Sequence, residues 1–215
     1  MSTAILDQVR AKKIIAIVRG VPSRNILDVA RALLEGGVSM MEVTFDHSSR
    51  EGLRETRQSL ELLSGEMRGK IALGAGTVLT PEEAETACDC GAEYIISPNV
   101  DERVIARTGE LELVSMPGAF TPTEIVQAHN AGADIVKVFP AGDLGTGYLK
   151  SLRGPLPHIP LAAVGGVTPE NIGDFFDAGA IAVGVGSNLV NAKKAAAGEY
   201  ASITAAARAF TASLK

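Results

Sequence analysis

The chain has 215 residues, of which 46% are hydrophobic, 21% charged and 4% aromatic. This length and composition exclude a disordered chain, a collagen-like repeat and a small disulfide-stapled scaffold, since about 70% of the unfolded surface can be buried on folding. The 20 lysines and arginines against 25 aspartates and glutamates give a net charge of -5, and this acidic balance with few aromatic residues predicts no nucleic-acid partner.

Short apolar runs rich in Ile and Val recur along the whole chain and predict eight strands. In chain order these are Ile14 to Val18, Met40 to Phe45, Ile71 to Ala75, Tyr94 to Ser97, Leu113 to Met116, Ile135 to Phe139, Leu161 to Val164 and Ala180 to Val185. Between them, helical spacing is seen over Ser23 to Glu35, Pro81 to Cys90, Thr121 to Asn130 and Thr168 to Asp177. Such alternation indicates parallel strands joined by crossover helices.

Helix boundaries are marked by residue type. Thr80, Thr121 and Thr168 each precede a proline with an acid nearby, a pattern typical of a helix start. The glycines that close these segments lead directly into the next predicted strand. The Ala-rich end from Lys193 to Lys215 predicts a closing helix.

Eight strands with intervening helices predict an α/β protein, a single (β/α)8 TIM barrel with an N-terminal helix, in one domain over residues 1–215. The alternative is an open doubly wound sheet. It is disfavoured because the first strand ends Val18-Arg19-Gly20-Val21-Pro22, without the Gly-x-Gly-x-x-Gly pattern of a dinucleotide site.

The first residues and the cysteines bear on location. Met1 to Arg10 contains Asp7 and no long apolar core, and no apolar run approaches the roughly 20 residues that span a bilayer. Cys88 and Cys90 are one residue apart in a predicted helix, so they suit neither a disulfide nor a pair of zinc ligands. We therefore expect a cytoplasmic protein without membrane contact and with ordinary thiols.

Two charged residues interrupt the predicted strands near their carboxyl ends, where barrel enzymes carry their chemistry. Glu42 shares one face of its strand with Met40 and Thr44, and Lys137 shares a face with Ile135 and Phe139. Because burying a lone charge costs several kcal/mol, both residues need a partner or a purpose.

One interpretation of Glu42 and Lys137 is a structural salt bridge inside the barrel. The other is covalent catalysis. Desolvation disfavours the ammonium form of a lysine, and a neutral amine can attack a ketone to give a Schiff base. The iminium stabilises an adjacent carbanion, while a nearby carboxylate moves protons on and off the substrate.

Glycines follow the seventh and eighth predicted strands. The first cluster is Val164-Gly165-Gly166-Val167, and the second is Val183-Gly184-Val185-Gly186-Ser187. These loops form the usual phosphate site of barrel enzymes, because exposed backbone N–H groups and a helix start favour an anion. The alternative is that the glycines only allow tight turns, but their position on these two strands favours phosphate.

Two further polar residues follow predicted strands. Thr77 in Gly74-Ala75-Gly76-Thr77 offers a hydroxyl, and Arg19 offers a planar fork of donors that suits a carboxylate. Alternatively Thr77 caps a loop and Arg19 is a surface cation. The segments Ser97-Pro98-Asn99 and Met116-Pro117-Gly118 are predicted to shape the rim of the barrel mouth.

Together these residues resemble the class I aldolases that cleave 2-keto-3-deoxy-6-phosphogluconate, some of which also cleave 4-hydroxy-2-oxoglutarate. The resemblance covers nearly the whole chain. In chain order it rests on Ile17-Val18-Arg19-Gly20, Glu42-Val43-Thr44, Gly74-Ala75-Gly76-Thr77-Val78-Leu79, Ile96-Ser97-Pro98, Lys137-Val138-Phe139-Pro140-Ala141, Gly165-Gly166-Val167 and Gly186-Ser187.

The resemblance implies that Lys137 forms the Schiff base and that Glu42 is the acid/base. It implies a pyruvyl pocket formed by Arg19, Thr77, Pro98 and Phe139. It also implies a phosphate site formed by Gly165, Gly166 and Ser187. The implied reaction is reversible cleavage to pyruvate and glyceraldehyde 3-phosphate, without metal or organic cofactor. Small-molecule substrates and a homotrimer are likewise implied.

The sequence departs from the family pattern after the glutamate. Many relatives carry an arginine four residues after it, whereas this chain has Asp46 followed by His47. An aspartate there removes an anion partner and adds repulsion, so the substrate is open among 2-keto-3-deoxy sugar acids, a galactonate-derived one included, and 4-hydroxy-2-oxoglutarate. Asn99, where relatives often have glycine, is a smaller departure. Two alternative hypotheses place the protein in a different functional class: an isomerase with Glu42 as base, or an inactive phosphate-binding barrel.

Overall fold

The structure is a computed structural model and describes residues 2–214. Its strands form one sheet in which every neighbouring pair is parallel, in the order β5-β4-β3-β2-β1-β9-β8-β7-β6. The strands are β1 Ile14–Val18, β2 Met40–Thr44, β3 Ala72–Gly76, β4 Tyr94–Ile96, β5 Val114–Met116, β6 Gly118–Ala119, β7 Val136–Val138, β8 Leu161–Val164 and β9 Ala182–Val185.

The strands β5 and β6 occupy one position of a barrel. Only Pro117 separates them, and proline has no N–H with which to continue a ladder. β5 pairs with β4 and β6 pairs with β7, while the N–H of Lys137 donates to the Pro117 carbonyl at 2.9 Å. The sheet is thereby joined around its circumference, and each of the eight predicted strands is present. The TIM-type barrel prediction is confirmed.

Helices link the strands on the outside. They are α1 Ser2–Lys12, α2 Ile26–Glu35, α3 Arg50–Glu66, α4 Pro81–Asp89, α5 Glu102–Glu110, α6 Pro122–Asn130, α7 Ala141–Arg153, α8 Ile172–Asp177, α9 Ala192–Ala196 and α10 Tyr200–Ala212. The side chains of Thr80 and Thr121 accept hydrogen bonds from the N–H groups of Glu83 and Glu124, as predicted for N-caps. Thr121 and Glu124 complete a capping box.

Three predicted helices have different bounds in the structure. The one predicted from Ser23 begins with a 3-10 turn over Ser23–Asn25, and α2 starts only at Ile26. The segment after Thr168 first forms a turn, in which the Asn171 side chain accepts from the Thr168 N–H at 2.8 Å, and α8 starts only at Ile172. The predicted closing helix is divided into α9 and α10 near Gly198, whose φ of 78° is not helical. Its last predicted residue, Lys215, lies outside the described residues.

Two layers of apolar side chains hold the barrel together. The larger layer lies between the strands and the outer helices, and the smaller one fills the barrel interior. Ile5 and Val9 of α1 pack in the interior layer with residues that begin strands, among them Met40 and Val114. Helix α1 therefore covers the amino end of the barrel, and the carboxyl end is its open mouth. Within residues 2–214, no helix combines the length and apolar character needed to cross a membrane.

Candidate active site

Two charged side chains are buried inside the barrel. Glu42 on β2 is 2% exposed and Lys137 on β7 is 7% exposed. Both face the interior with Met40 and Ile135, as the strand alternation predicts. They line a small cavity whose other walls are apolar, formed by Ile15, Ile17, Ile96, Met116, Ala162, Val164 and Gly184.

This apolar setting alters the proton affinity of Lys137. Burial lowers the pKa of its ammonium group, Glu42 opposes that change, and the nearby Arg19 adds to it. The Lys137 Nζ lies 4.7 Å from the centroid of the Phe139 ring, a contact that favours the charged form. The net shift is downward, which increases the fraction of neutral, nucleophilic amine.

Burial acts in the opposite direction on Glu42. It raises the pKa of the carboxyl group from 4.5 to about 7, although Lys137 and Arg19 both oppose the change. A carboxyl group with this pKa both accepts and donates protons near neutral pH. Its position depends on Gly76 of β3, because a Cβ atom there would lie 2.6 Å from the Glu42 carboxyl carbon.

Arg19 and Thr77 meet at the mouth, above Glu42. Arg19 follows β1 and Thr77 follows β3, and the Arg19 Nη2 donates to the Thr77 Oγ1 at 3.0 Å. Thr77 has a φ of 58°, which is uncommon for a β-branched residue and marks a constrained turn. A guanidinium group beside a hydroxyl suits recognition of a carboxylate.

The glycine loops after β8 and β9 lie next to each other. Gly165 and Gly166 have φ values of 93° and 72°, and a Cβ atom on Gly166 would lie 2.8 Å from the Cα of Gly142. The tight-turn interpretation therefore holds for both glycines. It is compatible with phosphate binding, which needs the same bare backbone. Ser187 is exposed in the second loop.

A side chain joins these two loops. The Asn188 Nδ2 donates to the Val167 carbonyl at 2.9 Å, which fixes the loop after β9 against the loop after β8. The backbone turns at Gly186, whose carbonyl accepts from the N–H groups of Leu189 and Val190. Gly165, Gly166 and Ser187 thus belong to neighbouring loops at the mouth.

Pro98 and Phe139 border the same mouth. Phe139 follows β7 and is 38% exposed, beside the Lys137 ammonium. Pro98 follows β4 and packs against Gly118, where a Cβ atom would lie 2.5 Å from the Pro98 carbonyl. Every site residue predicted from the sequence therefore lies in a strand or just beyond its carboxyl end.

Asp46 and His47 follow β2 on the exposed rim. The Asp46 carboxylate accepts from the Ser48 N–H at 2.9 Å, and bonds from Ser48 hold its pKa below the usual range. Gly52 packs closely against Asp46. His47 contacts Glu83 at 2.7 Å, so its ring is engaged with the start of α4.

Tyr94 is a site residue that was not predicted from the sequence. Its ring is fully buried in the barrel interior, and its hydroxyl has no hydrogen-bond partner within residues 2–214. The Oε2 atom of Glu42 is buried and unpaired in the same way. The place of Tyr94 opposite Gly74 depends on the register of β3 and β4, so the sequence carries no signal that distinguishes it.

Cys88 and Cys90 are free thiols, as predicted, and burial raises the pKa of both. In the part of the chain that the structure describes, no three His, Cys, Asp or Glu side chains are grouped as metal ligands are.

Comparison with known proteins identifies the family. A family model described as "KDPG and KHG aldolase" matches residues 5–206. The chain is 36% identical over 180 residues to 2-dehydro-3-deoxy-6-phosphogalactonate aldolase of Escherichia coli strain K12, covering 83% of this chain and 85% of the relative. It is 32% identical over 202 residues to 2-dehydro-3-deoxy-phosphogluconate aldolase of Treponema pallidum, covering 93% and 91%.

Solved structures agree with these relationships. A native KDPGal structure superposes with a TM-score of 0.84 at 33% identity, covering 93% of each chain. A KDPG aldolase from Legionella pneumophila, with pyruvate captured at low pH as a covalent carbinolamine intermediate, superposes with a TM-score of 0.84 at 26% identity, covering 94% and 95%. The chain belongs to the KDPG and KHG aldolase family, whose members are lyases.

Proposed function

We propose that the protein is a Schiff-base aldolase that cleaves 2-keto-3-deoxy-6-phosphogluconate, or its galactonate counterpart, to pyruvate and glyceraldehyde 3-phosphate. The observation that carries the proposal is the burial of Lys137 and Glu42 together in one apolar cavity. Burial favours the neutral amine and gives the carboxyl group a pKa of about 7. A nucleophile and a proton carrier are thereby adjacent.

The reaction follows from these two groups. The neutral Lys137 amine adds to the C2 ketone to give a carbinolamine, which takes a proton from the protonated Glu42 carboxyl group and loses water to give an iminium ion. Glu42 accepts the proton of the C4 hydroxyl, the C3–C4 bond breaks, and its electron pair passes to the iminium as an enamine. Glu42 then returns a proton to C3, and water hydrolyses the new iminium to release pyruvate and the free lysine.

The mouth supplies the binding groups in this proposal. Arg19 and Thr77 bind the C1 carboxylate, as their hydrogen-bonded contact above Glu42 suggests. Pro98 and Phe139 flank the pyruvyl carbons. The phosphate is bound between the two loops that Asn188 joins, by the backbone of Gly165 and Gly166 and by the Ser187 hydroxyl.

Two related substrates fit this mechanism. The gluconate and galactonate derivatives differ only in configuration at C4, and cleavage turns C4 into the aldehyde carbon, so both phosphorylated acids give the same products. The sequence resemblance favours the gluconate form, and the 36% identity to the Escherichia coli enzyme favours the galactonate form. Asp46, in place of an arginine, is the rim residue on which we expect the choice to depend. The carbinolamine captured in the Legionella relative supports the first chemical step.

The first experiment is incubation with pyruvate and borohydride, followed by peptide mass spectrometry. A reduced pyruvyl adduct on Lys137 is expected. No adduct in folded protein, or an adduct on another lysine, would contradict the mechanism and favour the isomerase or the inactive binder. Release of pyruvate from each C4 epimer, measured with lactate dehydrogenase and NADH, then identifies the substrate.

The proposal includes the homotrimeric state that the family resemblance implies and the cytoplasmic location expected from the cysteines and the first residues of the sequence. Light scattering coupled to size-exclusion chromatography tests the first of these. A monomer with full activity would contradict the trimer.

A further inference from the structure

Tyr94 lies in register with the proposed proton carrier. Across three adjacent strands, Glu42 of β2 is opposite Gly74 of β3, and Gly74 is opposite Tyr94 of β4. Because side chains at opposed positions share a face of the sheet, Glu42 and Tyr94 flank the glycine on the inner face of the barrel.

Gly74 leaves the space that the Tyr94 ring occupies. A Cβ atom on Gly74 would overlap the Cε2 and Cδ2 atoms of Tyr94 and lie 2.5 Å from its Cζ. The ring therefore lies across β3, and its hydroxyl end extends from β4 toward β2. Any larger residue at position 74 would block this approach to Glu42.

The polar atoms of Tyr94 and Glu42 lack hydrogen-bond partners. The Tyr94 hydroxyl and the Glu42 Oε2 are buried and make no hydrogen bond within residues 2–214. Buried polar atoms almost always have a protein or water partner, so an unpaired donor beside an unpaired acceptor requires an explanation. The phenol is a donor and the carboxylate is an acceptor, so the two groups are complementary.

Three other charged groups lie near Glu42 or Tyr94. Lys137 from β7 and Arg19 from the loop after β1 face Glu42, toward the mouth. Glu93, the second carboxylate near Tyr94, is exposed and accepts from the Leu73 N–H at 3.1 Å. Of the two carboxylates near Tyr94, Glu42 is thus the one that is buried and has an oxygen unpaired within residues 2–214.

We propose that Tyr94 is a positioning residue, whose hydroxyl donates a hydrogen bond to the ionised Glu42, through one water molecule or directly after the carboxylate rotates. The bond occupies Oε2 and leaves Oε1 for the substrate. It also favours the carboxylate form needed to accept a proton. This inference rests on the proposed function, because it assigns a supporting group to the same proton transfers.

Tyr94 keeps its own proton throughout. Burial and the neighbouring Glu42 raise the pKa of the phenol well above 10, so it donates a hydrogen bond without ionising. Its effect is therefore on the ionisation and orientation of Glu42, and not on bond making in the substrate.

The test is Tyr94→Phe, which removes only the hydroxyl. The readout is deuterium uptake from solvent into the methyl group of saturating pyruvate as a function of pH. We expect the midpoint of the acid limb to move up by about 0.5 to 1 pH unit, with a rate near wild type on the alkaline plateau. The matched control is Tyr200→Phe, which removes a hydroxyl that accepts from Asn25 at 2.7 Å outside the barrel interior. Its midpoint should equal that of the wild type.

An unchanged midpoint in folded Tyr94→Phe would overturn the inference. A second variant covers the case in which this substitution prevents folding. Incorporation of 3-fluorotyrosine at position 94 makes the phenol a stronger donor at almost the same size, so the midpoint should move down. An unchanged midpoint in the 3-fluorotyrosine protein would also overturn the inference. Borohydride trapping on Lys137 should be retained in both variants, whereas its absence in wild type would overturn the proposed function and this inference with it.

Discussion

The carboxyl group of Glu42 lies against Gly76, so closely that a Cβ atom on residue 76 would be 2.6 Å from the carboxyl carbon. Real Cβ atoms do not approach other heavy atoms this closely, so an alanine would displace the carboxyl group. If Glu42 carries protons as proposed, a displacement of about 1 Å can cost 10²-fold in rate, so the proposed reaction requires a glycine at position 76.

We therefore expect Gly76→Ala to reduce deuterium exchange into pyruvate by about 10²-fold. The matched control is Gly173→Ala in α8, where an added Cβ atom meets nothing within 4 Å. That variant should keep wild-type exchange and be stabilised by a few tenths to about 1 kcal/mol, because alanine is the better helix former. Equal exchange in the two variants would contradict the role of Gly76.

Lys137→Met should abolish cleavage, with a loss of at least about 10⁴-fold, because methionine fills the same space without an amine. Thermal unfolding should show an intact fold, since methionine keeps the apolar cavity filled and the Glu42 carboxyl group takes up a proton more readily once its cationic neighbour is gone. The comparison is Lys150→Met on the exposed side of α7, which should retain activity and the borohydride adduct. Substantial cleavage by Lys137→Met would exclude the covalent mechanism.

Glu42→Gln should slow deuterium exchange into pyruvate by about 10² to 10⁴, the usual contribution of a general acid/base. The amide is nearly isosteric but does not accept a proton from carbon. Adduct formation on Lys137 should persist, since the amine remains. Glu61→Gln serves as the control because Glu61 is exposed and pairs only with groups outside the barrel, among them Arg57. Unchanged exchange in Glu42→Gln would remove Glu42 from the mechanism.

The same residue makes stability depend on pH. The pKa of Glu42 is about 7 in the folded protein and 4.5 ordinarily, so the folded state binds more protons between these values. Its contribution is present at low pH and is lost as the pH rises from 4.5 to 7. Wild type should therefore lose about 1 to 3 kcal/mol of unfolding free energy over this window relative to Glu42→Gln.

Urea titrations at several pH values measure this difference. Carboxylates with a lowered pKa, such as Asp46 and Asp101, change their charge below this window and do not obscure it. Glu61→Gln should follow the wild-type curve. Parallel curves for wild type and Glu42→Gln would show that Glu42 is ionised in both states.

Local sequence signals predicted most of the fold. Apolar runs located all eight barrel positions, and Thr80 and Thr121 marked helix starts because a cap depends on residues only three apart. The late start of α8 was missed because the Asn171 side chain stabilises a turn that competes with the helix. The separate strand β6 was not predicted, because its pairing with β7 involves residues that follow it in the chain.

For the candidate site, the sequence predicted which face of a strand a residue lies on but not the contacts between residues of different strands. Strand alternation was enough to place Glu42 and Lys137 on the inner face, since the period of two is local. The contact between Arg19 and Thr77 spans 58 positions, and the approach of Tyr94 to Glu42 depends on the register of three strands. Neither is visible until the sheet is assembled. Tyr94 in the sequence is indistinguishable from an ordinary core aromatic residue.

Helix α1 seals one end of the barrel, so solutes exchange with Lys137 only through the mouth. For the proposed reaction this imposes an order of events. The pyruvyl half is held covalently at the deeper position, and the phosphorylated half lies between it and the solvent. The aldehyde must therefore depart before pyruvate in cleavage and arrive after it in synthesis, which makes the enzyme kinetically ordered by its architecture.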